Sequence, residues 1–365
     1  VLANAIGVAT EIRKKNKKVT PVLSLRHLAY CSNTDYTFLR NVVERRANDA
    51  YRLFRIKKRL RKGEAQHYRL ICVPSPDLLR AQRWIVDNIL IHAVPHESSV
   101  AFSKGSKLVT AAENHCSCRW LIKMDVRNFF ESINEISAYR VFRTFGFQSL
   151  VAFELARLCT RIPLTNRTSE SAKWRVHPGP VKKIKDYTSP HIGNLPQGAP
   201  TSPMLANLAC YGLDLELKAI ADKLRMNYTR YADDIVFSTE AEAFSRVEAT
   251  DLIGLASAAL GRSGLSPNIA KTRVVPPRAR KIVLGLLVNS DVPRLSRSFK
   301  DSLRMHIHYL LKPGVGPTAH ASRRGFASVA GLRNHLLGLV AYAGQVEPAY
   351  AEGLKAQLAS VEWPV

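Results

Sequence analysis

Two adjacent aspartates, Asp233 and Asp234, interrupt a run that is otherwise apolar or β-prone on both sides, Tyr228-Thr-Arg-Tyr-Ala-Asp-Asp-Ile-Val-Phe-Ser238. A hairpin with the acids at its tight turn would expose the charges while burying the flanks. Aspartate is also common in ordinary turns, so this segment alone reads equally well as a plain turn. A second segment argues for more. Leu121-Ile-Lys-Met-Asp125-Val126 reads as a buried strand ending at an acid, with Phe129 and Phe130 just beyond it. Two strand-end acids from distant sequence can converge on one pair of divalent cations. Mg²⁺ prefers carboxylate oxygens and keeps positions for phosphates. A two-metal pair activates an attacking hydroxyl and stabilises a leaving oxygen.

Charge narrows the partners. Among 365 residues, 54 Lys and Arg face 29 Asp and Glu, a formal net charge of +25. An enzyme of small metabolites has no need of such an excess, whereas a protein covering many phosphates does. The basic residues cluster at Arg13 to Lys18, Arg52 to Lys62, and Arg273 to Lys281, with an Arg323–Arg324 pair later. The six cysteines include only one close pair, Cys116 and Cys118, so a four-ligand zinc site is not expected and reduced thiols are. No apolar run approaches the ~20 residues that span a bilayer. The first residues place their basic cluster after the apolar stretch, the reverse of a secretory signal, so the expectation is a soluble cytoplasmic protein without membrane contact.

The hydrophobic pattern predicts an α+β architecture. Residues 1–50 read as helical, 51–74 as a basic hairpin turning at Lys62-Gly63-Glu64, and 76–94 as an amphipathic helix. The Pro-, Gly- and Lys-rich stretch Thr165 to Ile192 reads as a loop. A helix is expected over Pro203 to Leu224, another over Glu240 to Arg262, and a short strand pair around Val283 to Asn289. From Ser296 onward the chain reads as helical apart from a loop near 313–322.

Taken together, these segments resemble the polymerase motifs of reverse transcriptases. LIKMDVRNFFESI at 121–133 resembles motif A, NLPQGAPTSPMLANL at 194–208 motif B, and YADD at 231–234 motif C. LSPNIAKTRVV at 265–275 resembles motif D, and IVLGLLVN at 282–289 motif E. The resemblance implies a right-hand polymerase fold: an N-terminal helical region over 1–50, fingers over 51–120, a palm over 121–290 with part of the fingers inserted at about 150–200, and a helical thumb over 291–365. It implies that Asp125, Asp233 and Asp234, with the Val126 carbonyl, ligate two Mg²⁺ ions, for which Mn²⁺ substitutes. Phe130 would be the steric gate beneath the sugar of a dNTP, and Gln197 would line the nucleotide pocket. Arg69 would pair with the triphosphate, a role Lys57 and Lys58 share, and Lys271 would protonate the pyrophosphate.

Within that family the chain most resembles bacterial retron enzymes. VPSPDLLRAQRWIVDNIL at 73–90 is similar to their segment before motif A. Their Asn-Ala-x-x-His pattern corresponds to Thr110-Ala111-Ala112-Glu113-Asn114-His115, with Thr for Asn, and their Val-Thr-Gly to Val283-Leu284-Gly285. The resemblance implies recognition of a structured non-coding RNA, priming from the 2′-hydroxyl of a guanosine in it, and a short single-stranded DNA that stays linked to it. Arg273, Arg278, Arg280, Lys281, Arg323 and Arg324 are the candidate RNA contacts. An antiphage role with a separate effector protein is implied as well. The alternatives are a group II intron-like or other defence-associated reverse transcriptase, and a basic RNA-binding protein with an inactive polymerase fold.

Overall fold

The computed structural model describes residues 2–46, 50–57, 68–103, 105–163, 187 and 191–364. Helices α1 (Leu2–Lys15), α2 (Leu25–Cys31) and α3 (Tyr36–Val43) come first. The Ser24 hydroxyl and the Asp35 carboxylate cap α2 and α3, accepting from the His27 and Phe38 N–H groups. Strands β1 (Tyr51–Lys57) and β2 (Tyr68–Pro74) pair antiparallel, with Ile56 opposite Arg69. The expected turn at Lys62-Gly63-Glu64, and Lys58, lie outside the described residues. Helix α4 (Pro76–Asn88) begins on Pro76, whose missing N–H costs nothing in a first turn. It stops at Asn88 rather than 94, passing into a 3₁₀ turn over Leu90–His92.

Beyond α5 (Leu108–Glu113) comes β3 (Trp120–Asp125), then α6 (Phe129–Ser132), α7 (Glu135–Thr144) and α8 (Ser149–Leu158). Most of the stretch expected to form a loop, 165–192, lies outside the described residues. The helix expected over 203–224 is two helices, α9 (Ser202–Ala209) and α10 (Tyr211–Lys223). They break at Cys210 (φ −88°, ψ 5°), next but one to Gly212, the weakest helix former in the run after its first-turn proline.

Strands β4 (Asn227–Tyr231) and β5 (Asp234–Thr239) form the hairpin that the paired acids predict. Helix α11 (Arg246–Arg262) starts later than expected because Ser245 and Glu248 close a reciprocal capping box there. Strand β6 (Arg273–Val275) pairs with β3, an element the sequence pattern does not announce. The short pair β7 (Ile282–Val283) and β8 (Leu286–Leu287) is as expected. Four helices then follow among the described residues: α12 (Arg297–Leu311), α13 (Gly316–Arg323), α14 (Val329–Val346) and α15 (Pro348–Ala359). Helix α13 occupies the stretch expected to be a loop. Its Gly and Pro sit in the first turn, where proline's fixed φ starts a helix rather than breaking it.

The central sheet runs β4-β5-β3-β6 and is antiparallel throughout. Strand alternation sorts its two faces. Ile122, Met124, Ile235 and Phe237 point into the larger core, which also gathers α1 to α4 and α7 to α11. Leu121 and Val236 point the other way, into a second core shared with Val283, Leu286 and the C-terminal helices. Asp125 and Asp234 are direct register partners on this second face, at the end of the sheet that the C-terminal core leaves open.

Under the hairpin, on the opposite face, lies a charged pair with 0% exposure on both sides, Arg230 and Asp214. Arg230 donates from Nε to Asp214 Oδ1 at 2.7 Å and from Nη2 to Oδ2 at 2.6 Å. Tyr228 donates its hydroxyl to the same carboxylate at 2.7 Å. The remaining guanidinium hydrogens reach Asn207 Oδ1, Ser99 Oγ and the Ala232 carbonyl. Desolvation opposes the Arg230 charge, and the Asp214 hydrogen bonds more than offset it, so its pKa is raised. Removing one partner strands a buried charge, which costs about 3–5 kcal/mol. Asp214→Ala is therefore expected to lower the urea-unfolding free energy by about that amount. A loss under about 1 kcal/mol would contradict a paired, desolvated Arg230.

Candidate active site

A cavity of about 820 Å³ opens where the hairpin turn, the end of β3 and the basic strand β2 meet. Asp125, Asp233 and Asp234 all line it, as do Val126, Phe130 and Gln197. Arg69 and Lys271 reach the same space. The expected catalytic and nucleotide-contacting residues thus share one concavity.

Each acid is delivered by a different local device. Asp234 begins β5 opposite Asp125 at the end of β3. Asp233 occupies the turn after Ala232, whose φ of +54° lets two residues reverse the chain. The Asp233 carbonyl accepts from the Val126 N–H at 3.0 Å, locking the turn to the end of β3. Burial raises the pKa of both Asp233 and Asp234. For Asp233 the carboxylates of Asp234 and Asp125 add to that rise; for Asp234, Asp125 adds while Lys123 and Lys271 oppose it. Half-buried, mutually repelling carboxylates are what a bound cation would relieve.

A cation already stands there. Lys271 donates from Nζ to Asp125 Oδ2 at 2.8 Å, and Asn268 donates from Nδ2 to Oδ1 at 2.9 Å. The Asn268 N–H also donates to the Asp125 carbonyl at 2.7 Å. Among the described residues no group of three His, Cys, Asp or Glu stands closely enough arranged to hold a metal ion. Asp125 is turned to Lys271 and Asn268. The donor set still fits a hard divalent cation: carboxylate oxygens, with an ammonium beside them in its stead.

The turn carrying Gln197 is built against strand β2. Its carbonyl accepts from the Cys72 N–H at 2.8 Å. Gly198 follows with φ +113°, and a Cβ there would meet the Cys72 carbonyl oxygen and Ile71 Cγ2 at 3.0 Å each. Only glycine serves both needs. Upstream, Gly193 packs against Arg45, Glu135 and Thr160; Arg45 and Arg157 both pair with the buried Glu135, whose carboxylate also accepts from the Gly193 N–H.

Some residues that hold the site in shape carry no sequence signal. Arg230, Asp214 and Asn207 support the turn from below, and Asn268 holds Asp125. His115, noted only as part of a retron pattern, is fully buried and hydrogen-bonds Ser238 Oγ and Thr229 Oγ1 at 2.7 Å each. It clasps both hairpin strands at the end away from the acids. Burial lowers its pKa to about 4, so it is neutral at physiological pH. The basic candidates divide. Arg273, Arg278, Arg280, Arg323 and Arg324 are exposed. Lys281 is 2% exposed and donates to the Ala279 carbonyl at 3.3 Å, so it does not belong to that exposed set.

The family model described as Reverse transcriptase (RNA-dependent DNA polymerase) matches residues 56–288. The chain is 28% identical over 264 residues to the Retron Ec86 reverse transcriptase of Escherichia coli, covering 72% of this chain and 71% of that one. It is 30% identical over 305 residues to the Retron Mx162 reverse transcriptase of Myxococcus xanthus, covering 80% and 58% respectively. A third relative, the Retron Mx65 reverse transcriptase of Myxococcus xanthus, is 29% identical over 78% of this chain and 60% of its own. The chain thus spans less than two thirds of the length of the two Myxococcus relatives.

If Asp125 is a metal ligand, the paired lysine would compete for it, and Lys271→Ala is then expected to lower the Mg²⁺ concentration giving a half-maximal thermal shift. The Lys271 side chain is 53% exposed, so the effect is that of a surface pair, about two- to fivefold. An unchanged or higher midpoint would contradict the competition.

Proposed function

We propose a reaction and a template for this chain from the premise its relatives establish: it belongs to the reverse transcriptase family and is an RNA-directed DNA polymerase of the bacterial retron type. The observation that carries the reaction is the convergence of Asp125, Asp233 and Asp234 on a cavity shared with Arg69, Phe130, Gln197 and Lys271. In this reading the three aspartates, with the Val126 carbonyl, hold two Mg²⁺ ions. When bound, such a pair neutralises phosphate charge and activates the primer hydroxyl.

The chain's own residues do the rest. Arg69 presents a planar guanidinium suited to bidentate contact with the triphosphate. Gln197, fixed through its carbonyl to β2, packs at the incoming base pair. Phe130 occupies the space a 2′-hydroxyl would need and so favours deoxynucleotides. Lys271 exchanges the Asp125 carboxylate for phosphate oxygens as the nucleotide enters, and from there donates a proton to the leaving pyrophosphate. The fingers comprise the hairpin and its flanks, the palm the four-stranded sheet, and the thumb the C-terminal helices.

The template in this reading is a structured non-coding RNA. Folded RNA is recognised through shape and phosphates, which suits a net charge of +25 and the exposed arginines 273, 278, 280, 323 and 324. Priming from a 2′-hydroxyl of that RNA would leave the DNA product linked to it. A separate effector protein, held in check by the RNA–DNA species, would make the system an antiphage device. Among the described residues no helix is long and apolar enough to cross a membrane.

One experiment tests both parts. Wild type and the Asp233→Asn/Asp234→Asn variant are purified from the host and their bound nucleic acid is sequenced. The wild type is expected to carry a branched RNA–DNA species with a 2′–5′ link, and the variant the RNA alone. Linear cDNA from unlinked templates would overturn the 2′-hydroxyl priming, and DNA on the variant would overturn the metal-site assignment.

A further inference from the structure

Phe102 lies outside the short sequence motifs named above, although within the span of the family match, and its ring lines the active-site cavity. Its backbone has φ +61°, in the left-handed region that bulky side chains avoid. Such strain persists only where the surroundings over-determine it, and it gathers at functional sites. The surroundings here are specific. The Val100 N–H donates to the Arg230 carbonyl at 3.0 Å, and the Ala101 carbonyl accepts from Asn207 Nδ2 at 2.7 Å. The two residues before Phe102 are therefore pinned to β4 and α9, within the network that supports the YADD turn.

From that anchor the ring reaches two others. Its centroid lies 5.9 Å from the Tyr231 ring and 6.4 Å from the Phe130 ring, each inclined by 47°. Phe130 also meets Phe129 edge-on at 5.4 Å. With 42% of its surface exposed, Phe102 contributes little to either core, so its strained placement is not explained by burial.

We propose that Phe102 is a positioning residue for sugar selection, bracing the Phe130 ring so that it cannot yield to a ribonucleotide's 2′-hydroxyl. The proposal rests on the reading of Phe130 as the steric gate. A gate discriminates by repulsion, and repulsion is only as strong as the gate is rigid. A ring free to shift by a fraction of an ångström admits the hydroxyl. One anchored through Phe102 to Tyr231 and to the backbone beside Arg230 does not.

The test is single-nucleotide insertion on an RNA template, read as the ratio of kcat/KM for a dNTP to that for the matching rNTP. Aromatic pairs of this kind carry enough energy for Phe102→Ala to lower the ratio about three- to tenfold. Phe102→Tyr, which keeps the ring, is expected to preserve the wild-type ratio. Phe130→Ala is expected to lower it further, and Phe102→Ala in that background to change nothing more, since no gate is left to brace. If Phe102→Ala is too unstable to assay, Phe102→Leu keeps the bulk without the ring and carries the same expectation. An unchanged ratio in Phe102→Ala, with a lowered one in Phe130→Ala, overturns the brace and leaves the gate intact. Additive losses in the double variant also overturn it, because Phe102 would then act on the nucleotide directly. An unchanged ratio in Phe130→Ala removes the gate itself, and the brace falls with it.

Discussion

The buried pair of Arg230 and Asp214 is the constraint on which the site's geometry depends. Two charges with no exposed surface are tolerable only when each donor and acceptor has a partner, and here they do. The requirement ties together four separate stretches: Ser99 in the segment before α5, Asn207 on α9, Asp214 on α10, and the Ala232 carbonyl inside the YADD turn. The YADD turn is thus supported by an arrangement that cannot relax by small steps, since loss of one bond exposes a desolvated charge. His115 plays a matching part at the other end of the hairpin, where neutral imidazole nitrogens satisfy one hydroxyl on each strand.

Above this scaffold the site is built against its own stability. Burial and neighbouring carboxylates both disfavour the charges on Asp233 and Asp234. Lys271 and Asn268 hold Asp125 meanwhile, which limits the repulsion and keeps the carboxylate from wandering. Such tension is usual where function needs charges that folding would rather avoid. In the proposed reaction the same Lys271 would meet both the metal, through Asp125, and the nucleotide.

How far this was legible in the sequence depends on what each residue's pattern reports. Strand-end acids stand out because they break an apolar alternation, so Asp125, Asp233 and Asp234 could be named from sequence and prove to line one cavity. The hairpins and most helices follow from periodicity, with ends misjudged where local devices intervene. The capping box at Ser245 delays α11, and first-turn Pro317 starts α13 in a stretch that composition marks as loop. Charged residues are the least legible. Arg230 and Asp214 read as ordinary polar positions, because burial of a pair 16 residues apart emerges only when strand meets helix. Lys281 fails in the opposite sense: membership of a basic cluster suggested exposure, whereas its ammonium folds back onto the Ala279 carbonyl. Phe102 sits in a loop with no period at all, and only its φ and its neighbours single it out.

The central claim is that three aspartates from two strands and a turn form one two-metal centre on this scaffold. It is tested most directly by anomalous diffraction from crystals grown with Mn²⁺, an RNA template, a DNA-terminated primer and a non-hydrolysable dNTP. The account predicts two Mn²⁺ peaks about 3.5–4 Å apart, bounded by Asp125, Asp233 and Asp234, with Lys271 withdrawn from Asp125. A single peak, or peaks away from these carboxylates while Lys271 still holds Asp125, would contradict it.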